Sequence, residues 1–295
     1  MKRVLVTGGS GQVGRELARF AWPEGWTAAT PTRAELDVTD PAAVAAEVAR
    51  RPWAAVINAA AYTAVDRAES DAVDAWTLNA LAPAALAQAC RAADIPLVQV
   101  STDYVFDGSK RGAWEVDDPV GPLGVYGASK LGGELAVRTA HPRHAIVRTA
   151  WVMGAHGSNF VRTMLRLGAE RPRLRVVDDQ HGSPTSAADL AAVLATVAMR
   201  MAVDAQAPTG VFHFANHGPT SWCGFARAIF ERAGARGGPS PVVEAIATAD
   251  YPTPSRRPAN SLLSTARIER EYGVAPRPWT AALDDVLDEL IGPAR

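Results

Sequence analysis

Cysteine is scarce in this chain, positive charge is not in excess, and no apolar run is long. The 295 residues include two cysteines, Cys90 and Cys223. They form no Cys-x-x-Cys pair and no disulfide framework, so two reduced thiols in a reducing compartment are expected. The formal net charge is −1, which leaves no basic surplus to track a nucleic-acid backbone. A small anionic ligand stays within reach, because a few local donors suffice for one. The apolar start Val4-Leu5-Val6 runs into glycines and is too short for a signal peptide. The Ala-rich stretch 190–199 is bounded by Asp189 and Arg200 and reads as a buried helix, not a membrane span. The expectation is a cytoplasmic protein with no membrane or nucleic-acid partner.

What is present is apolar and patterned. Hydrophobic residues make up 48% of the chain, enough at this length for one large domain or two interlocked ones. Through the first half, short β-like runs alternate with helical stretches. Residues 3–7, 26–30, 54–58, 97–101 and 144–148 read as strands. Helices are expected over 14–22, over 41–51 behind an Asp40 N-cap, over 70–93 with Pro83 turning or kinking it, and over 126–140. Residues 107–125 are rich in Gly, Pro and charge and read as irregular. This alternation predicts an α/β fold, a Rossmann-type doubly wound parallel sheet.

After Trp151 the pattern loosens. Helices are expected over 159–168, 187–201, 221–233 and 278–291, strands over 173–177 and 211–215, and Pro-rich connections over 237–258. The predicted division is a dinucleotide-binding domain, residues 1–151, and a smaller C-terminal substrate-binding region, residues 152–295. Some segments of the second are expected to return to the first. No internal repeat or low-complexity linker interrupts either.

The loop Thr7-Gly8-Gly9-Ser10-Gly11-Gln12-Val13-Gly14 lies between a predicted strand and a predicted helix. Gly9, Gly11 and Gly14 satisfy GxGxxG, and Gly8, Gly11 and Gly14 satisfy GxxGxxG. Glycine permits the tight turn and lets the backbone approach a pyrophosphate, which the helix N-terminus attracts. An NAD site usually carries an acid at the end of the second strand. Here that region reads Thr30-Pro31-Thr32-Arg33. Arg33 suits a 2′-phosphate, and Asp37 and Val38 fall near the adenine. NADPH is therefore the expected cofactor, with NADH as the alternative.

Tyr126 and Lys130 are four apart on a predicted helix and share one face. A tyrosine titrates near about 10, and a neighbouring ammonium lowers that value. The phenol can then give a proton to a carbonyl oxygen during its reduction. Thr102, at the end of a predicted strand, can offer a hydroxyl to the same oxygen, because open α/β sheets bind ligands at their C-terminal strand ends. His213 and His217 lie in a strand-to-turn stretch where helical zinc-ligand geometry does not apply. Asp284-Asp285 and Asp288-Glu289 read as a solvated helix face.

The glycine loop, Asn58-Ala59-Ala60-Ala61, Ser101-Thr102-Asp103-Tyr104-Val105-Phe106 and Tyr126-Gly127-Ala128-Ser129-Lys130 resemble the extended short-chain dehydrogenase/reductases. Further blocks narrow the resemblance. They are the run 60–69 from Ala60-Ala61-Tyr62 to Ala68-Glu69, Arg148-Thr149-Ala150-Trp151-Val152, Asn159-Phe160 and the run 179–185. Thr220-Ser221-Trp222, Tyr251-Pro252-Thr253-Pro254 and Arg257-Pro258-Ala259-Asn260-Ser261 join them. Together they resemble the dTDP-4-dehydrorhamnose reductase family over nearly the whole chain.

That resemblance implies reduction of the 4-keto group of a dTDP-4-keto-6-deoxy sugar, dTDP-4-dehydro-L-rhamnose. It implies Tyr126 as proton donor, Lys130 as its helper and ribose ligand, and Thr102 as the third catalytic hydroxyl. Gly8, Gly11, Gln12, Val13 and Gly14 would form the phosphate loop, with Ala60 and Ala61 beside the cofactor. Thr102, Asp103, Tyr104, Trp151 and Trp222 would line the sugar site, with core packing as the alternative for both tryptophans. Arg257 would meet the nucleotide phosphates. Some members dimerise with magnesium bridging carboxylates. Glu16 matches one such position, but Asp189 stands near another where a longer acid is usual, so a homodimer without a metal is the expectation. The alternatives are another NAD(P)-dependent nucleotide-sugar reductase or epimerase, or a non-catalytic dinucleotide-binding regulatory subunit. The Thr102, Tyr126 and Lys130 set argues against the last.

Overall fold

Five runs of the first half carry apolar stretches such as Val4-Leu5-Val6, Ala55-Val56-Ile57 and Ala145-Ile146-Val147, which suits strands covered on both faces. In the computed structural model, which describes residues 1–294, they form β1 (Lys2–Thr7), β2 (Trp26–Ala29), β3 (Trp53–Asn58), β4 (Leu97–Thr102) and β5 (His144–Thr149). Arg295, the last residue of the expected second region, lies outside the described residues. A sixth strand, Gly210–His213, comes from the second half of the chain and pairs with β5. All six are parallel, in the order Gly210–His213, β5, β4, β3, β1, β2. This is the doubly wound Rossmann-type sheet. Its order reverses between β1 and β3, and ligands bind outside the strand ends at such a switch point.

Alternate strand residues feed two cores. Val4, Val6, Ile57 and Val147 pack on one face against helices Gln12–Arg19 and Ala187–Val203, through Leu17, Leu190 and Leu194. Leu5, Val56, Leu97 and Ile146 pack on the other against Pro41–Arg50, Ala82–Ala92 and Val125–Ala140, through Val44, Leu86 and Val137. The Ala-rich helix is thus a core element, and among the described residues no helix is long and apolar enough to cross a membrane. A further core holds Met164, Phe225, Ile229, Trp279 and Leu283, from helices Phe160–Glu170, Trp222–Gly234 and Trp279–Leu290.

Five segments depart from the sequence reading. The first helix stops at Arg19, short of residue 22, with Pro23 close behind. The stretch 70–93 is not one helix. It passes from Ala72–Trp76 through a wide π-helical turn, Thr77–Leu81, into Ala82–Ala92. The wide turn accommodates Pro83, which has no N–H and would crowd the carbonyl four residues back. Within the Pro-rich 237–258, Val242–Ile246 forms a strand parallel to Arg173–Val177. Helix Ala266–Tyr272 also went unread, although Gly273 ends it in the left-handed conformation at φ 67°. The acidic face of the last helix is not merely solvated: Asp284 and Asp288 pair with Arg236, and Glu289 with Arg19.

Candidate functional site

The C-terminal ends of β1, β3, β4 and β5 open on one cleft of about 650 Å³. Every residue expected to bind cofactor or substrate lines it except Gly14 and Arg257. At one end stands the glycine loop. Gly8 has φ 76°, and a Cβ there would sit 2.5 Å from Ala60 N. A Cβ on Gly14 would sit 2.2 Å from Gly8 O. Gly14 therefore shapes the loop from behind, without facing the cleft. Gly11 N donates to Gly8 O at 3.0 Å, which closes the turn. No side chain caps helix Gln12–Arg19, so its first amides are left for a ligand. This bare helix end and a cradle with no room for Cβ atoms fit the pyrophosphate of a dinucleotide.

A buried polar chain fixes the backbone opposite. Thr7 Oγ1 donates to Asn58 Oδ1 at 2.5 Å, and Asn58 Nδ2 to Gln99 Oε1 at 2.7 Å. Asn58 Oδ1 also accepts from Ala60 N at 3.1 Å, which holds Ala60 and Ala61 over Gly8. At the far edge, Arg33 makes only a loose 3.5 Å ion pair with Asp37 and keeps most of its donors in solvent. The Asp37 carboxyl, bonded by Thr39, is held below the usual carboxylate range. Gln12 turns its side chain to Asn159, which donates to Oε1 at 2.9 Å. Gly157 and Ser158 line the cleft there. Nothing in their local sequence marked them beyond the neighbouring Asn159-Phe160.

The reactive groups cluster at the other end. Thr102 ends β4 and opens the 3₁₀ turn Asp103–Val105, accepting from Tyr104 N at 3.2 Å and donating to Asp103 Oδ1 at 3.0 Å. Tyr126 and Lys130 enter from helix Val125–Ala140. Burial pushes the Tyr126 phenol up to about 12, the Thr102 hydroxyl opposing and Asp103 adding to the rise. Burial brings the Lys130 ammonium down to about 8, with Glu134 opposing. Lys130 Nζ donates to Val100 O at 2.6 Å. In this geometry burial, not Lys130, governs the phenol, so Tyr126 holds its proton near neutral pH. That is the state an acid needs.

The remaining walls are polar and aromatic. Asp103 Oδ2 is buried without a hydrogen-bond partner, and burial pushes its carboxyl up to about 6 against the Ser261 and Thr102 hydroxyls. Thr149, at the end of β5, has a buried hydroxyl in the same condition, and the sequence reading missed it. Tyr104 stands edge-on to Tyr126 with ring centroids 5.4 Å apart. Trp151 adopts φ 49°, a left-handed conformation uncommon outside glycine. It stacks on Trp222 at 3.6 Å, and Trp222 also meets Phe160 at 4.6 Å, so Trp222 belongs to both cleft and core.

Arg257 is not at the cleft wall. It donates to Asp66 Oδ2 at 2.8 Å and to Ser255 O at 3.2 Å, with its charge reaching the Tyr104 phenol. The acids compared with magnesium ligands are engaged by protein groups within the chain. Arg19 Nη1 is the shared partner of Glu16, Glu289 and His156 at 3.6, 2.7 and 2.6 Å. Asp189 accepts from Asn216 and Arg277. Among the described residues no three His, Cys, Asp or Glu side chains are grouped to hold a metal.

Residues 1–291 match the family model described as the RmlD substrate binding domain. A dTDP-4-dehydrorhamnose reductase from Streptomyces griseus is 44% identical over 294 residues, 99% of this chain and 95% of the relative. The solved dTDP-4-dehydrorhamnose reductase from Clostridium acetobutylicum superposes with a TM-score of 0.91 at 37% identity, covering 98% of this chain and 99% of that one. That from Bacillus anthracis, solved in complex with NADP, gives 0.91 at 34% identity over 98% and 100%.

Proposed function

The chain belongs to the RmlD substrate binding domain family of dTDP-4-dehydrorhamnose reductases, and from that premise we propose that it reduces dTDP-4-dehydro-L-rhamnose to dTDP-L-rhamnose with NADPH. The observation that carries the reading is one cleft with a bare helix end over a glycine cradle at one pole and Thr102, Tyr126 and Lys130 at the other. The free amides of Gln12 and Val13 would hold the pyrophosphate where Gly11 lets it approach, Arg33 would meet the 2′-phosphate, and Asp37 and Val38 the adenosine. Ala60 and Ala61 border the cofactor, and Lys130 holds the ribose. Bound NADPH supplies the hydride.

The chain supplies the proton and the orientation. On binding, the Thr102 hydroxyl would turn its one proton from Asp103 Oδ1 to the sugar's 4-keto oxygen, and Tyr126 gives that oxygen its proton as negative charge develops there. General acid help of this kind is worth about 10²–10⁴-fold. The unpartnered Asp103 Oδ2 accepts from a sugar hydroxyl. Tyr104, Trp151 and Trp222 wall the site.

In the same reading, residues 1–151 bind the cofactor and 152–295 mainly the sugar. Strand Gly210–His213 and helix Ala187–Val203 return to the first region's sheet. The enzyme is taken to be cytoplasmic and homodimeric, and light scattering on the purified protein tests the dimer.

The direct test follows NADPH absorbance with dTDP-4-dehydro-L-rhamnose, with NADH in parallel. Consumption with dTDP-L-rhamnose as product is expected, faster with NADPH. Tight NADPH binding without turnover on any 4-keto nucleotide sugar would favour a regulatory subunit.

A further inference from the structure

Tyr126, Lys130 and Glu134 lie at successive i, i+4 positions of helix Val125–Ala140 and form one stripe, with Lys130 and Glu134 both buried. Glu134 is 1% exposed and both its oxygens are engaged. Oε1 accepts from Ser101 Oγ at 2.6 Å and from Arg148 Nε at 2.8 Å, and Oε2 from Arg148 Nη2 at 2.7 Å. Ser101 directly precedes Thr102 on β4, and Arg148 comes from β5.

We propose that Glu134 is a positioning residue for the reduction: its buried carboxylate, clamped between Ser101 and Arg148, keeps Lys130 charged and holds the Thr102 strand end against the Tyr126 helix.

The charge balance makes the carboxylate necessary. Lys130 and Arg148 are two buried cations beside a single buried anion. His213 adds no charge: its Nδ1 faces Trp114 O at 3.1 Å and its Nε2 faces Arg148 at 3.4 Å, the pattern of a neutral ring. Burial holds it neutral, down to about 3. Asp103 lies at the Tyr126 end of the stripe, where its Oδ1 accepts from Thr102 and its charge acts on the phenol. Of the charged groups on the helix, β4, β5 and Gly210–His213, Glu134 is the one that sustains the Lys130 ammonium against burial. Lys130 and Glu134 make no direct ion pair, so the carboxylate acts through its field across one helical turn; an opposite charge within about 4–6 Å is worth about 1–3 pKa units.

This role rests on the reductase reading, and two readouts separate them. The chain has three lysines, Lys2, Lys110 and Lys130, so the Nζ and Cε signals of Lys130 can be followed by NMR and assigned with Lys130→Met. In Glu134→Gln the Lys130 titration should move down by about 1–3 units. The alkaline limb of kcat against pH should move with it, while NADPH affinity at pH 6 is kept. Glu134→Asp, which restores the charge, should recover most of both shifts. An unmoved Lys130 titration, or a kcat lowered equally at every pH, would overturn the proposal. If Glu134→Gln does not fold, the wild-type titration decides, since a Lys130 midpoint below about 7 means the carboxylate does not hold the charge. A wild type that turns over no keto sugar would count against the reductase reading, while the NMR shift would still support the pairing.

Discussion

Arg257 and Asp66, 191 positions apart, are joined at 2.8 Å, and Ser255 N adds a second bond to the same carboxylate at 3.2 Å. The pair latches the loop after Val242–Ile246 to the segment after β3, within electrostatic reach of Tyr104. Through that latch Arg257 is expected to steady the Tyr104 side of the sugar site. Arg257→Ala and Asp66→Ala should each raise KM for the sugar nucleotide, leave NADPH affinity unchanged, and cost about 1 kcal/mol of stability, since Arg257 is mostly buried while Asp66 is open to solvent. The double variant should be no worse than either single one. Steady-state kinetics on the three proteins check this. If Asp66→Ala leaves KM intact while Arg257→Ala raises it, Arg257 is a phosphate ligand after all.

The glycine loop separates two roles that the motif merges. Gly14→Ala puts a Cβ 2.2 Å from Gly8 O and 2.7 Å from Gly9 Cα, so the backbone must move. Thermal unfolding should show a loss of about 1–3 kcal/mol. At Gly11, φ is −75° and the nearest atom to a Cβ is Gly8 O at 3.3 Å. Gly11→Ala should fold nearly normally and bind NADPH about tenfold more weakly, about 1.4 kcal/mol, because the new methyl stands where the pyrophosphate approaches. Equal stability losses in the two variants would contradict this division.

What the sequence disclosed follows from where each residue's constraint lies. The sheet strands were legible because burial on both faces leaves a continuous apolar run such as Val4-Leu5-Val6. The glycine loop and the Tyr126–Lys130 spacing were legible because their chemistry is local. Val242–Ile246 was not, since an edge strand with partly exposed residues beside Pro241 carries no such run. Pro83 marked a break, but the form it takes did not show: Asn79, inside the π-helical turn, packs closely on helix Val125–Ala140, where a Cβ on Gly133 would lie 2.1 Å from Asn79 O. The position of Arg257 and the Glu134–Arg148 pair depend on partners distant in sequence, which motif spacing does not encode.

Tyr126→Phe should lower kcat by about 10²–10⁴-fold while NADPH still binds. The phenol, pushed up to about 12 by burial, stays protonated across the working range. The wild-type rate should therefore show no limb from the tyrosine, only those of Lys130 near about 8 and Asp103 near about 6. Normal turnover by Tyr126→Phe would remove it as proton donor.

Asp103 couples the site to stability. Burial raises its folded pKa to about 6, against 3.8 for an ordinary aspartate. Between these values the folded protein keeps a proton that the unfolded chain has lost, so stability falls as pH rises through the window and the penalty is complete above about 6. Two units correspond to at most about 3 kcal/mol. Asp103→Asn carries no such penalty. Its unfolding midpoint should match the wild type near pH 4 and exceed it at pH 7.5, by denaturant melts at both values. The activity should move the other way. An ionised Asp103 accepts a stronger hydrogen bond from a sugar hydroxyl, so the wild-type KM should improve as pH rises past 6, and the variant's should stay high and flat. A stability difference independent of pH would mean the carboxyl is ionised in the folded state at every pH tested, with a partner yet to be found for Oδ2.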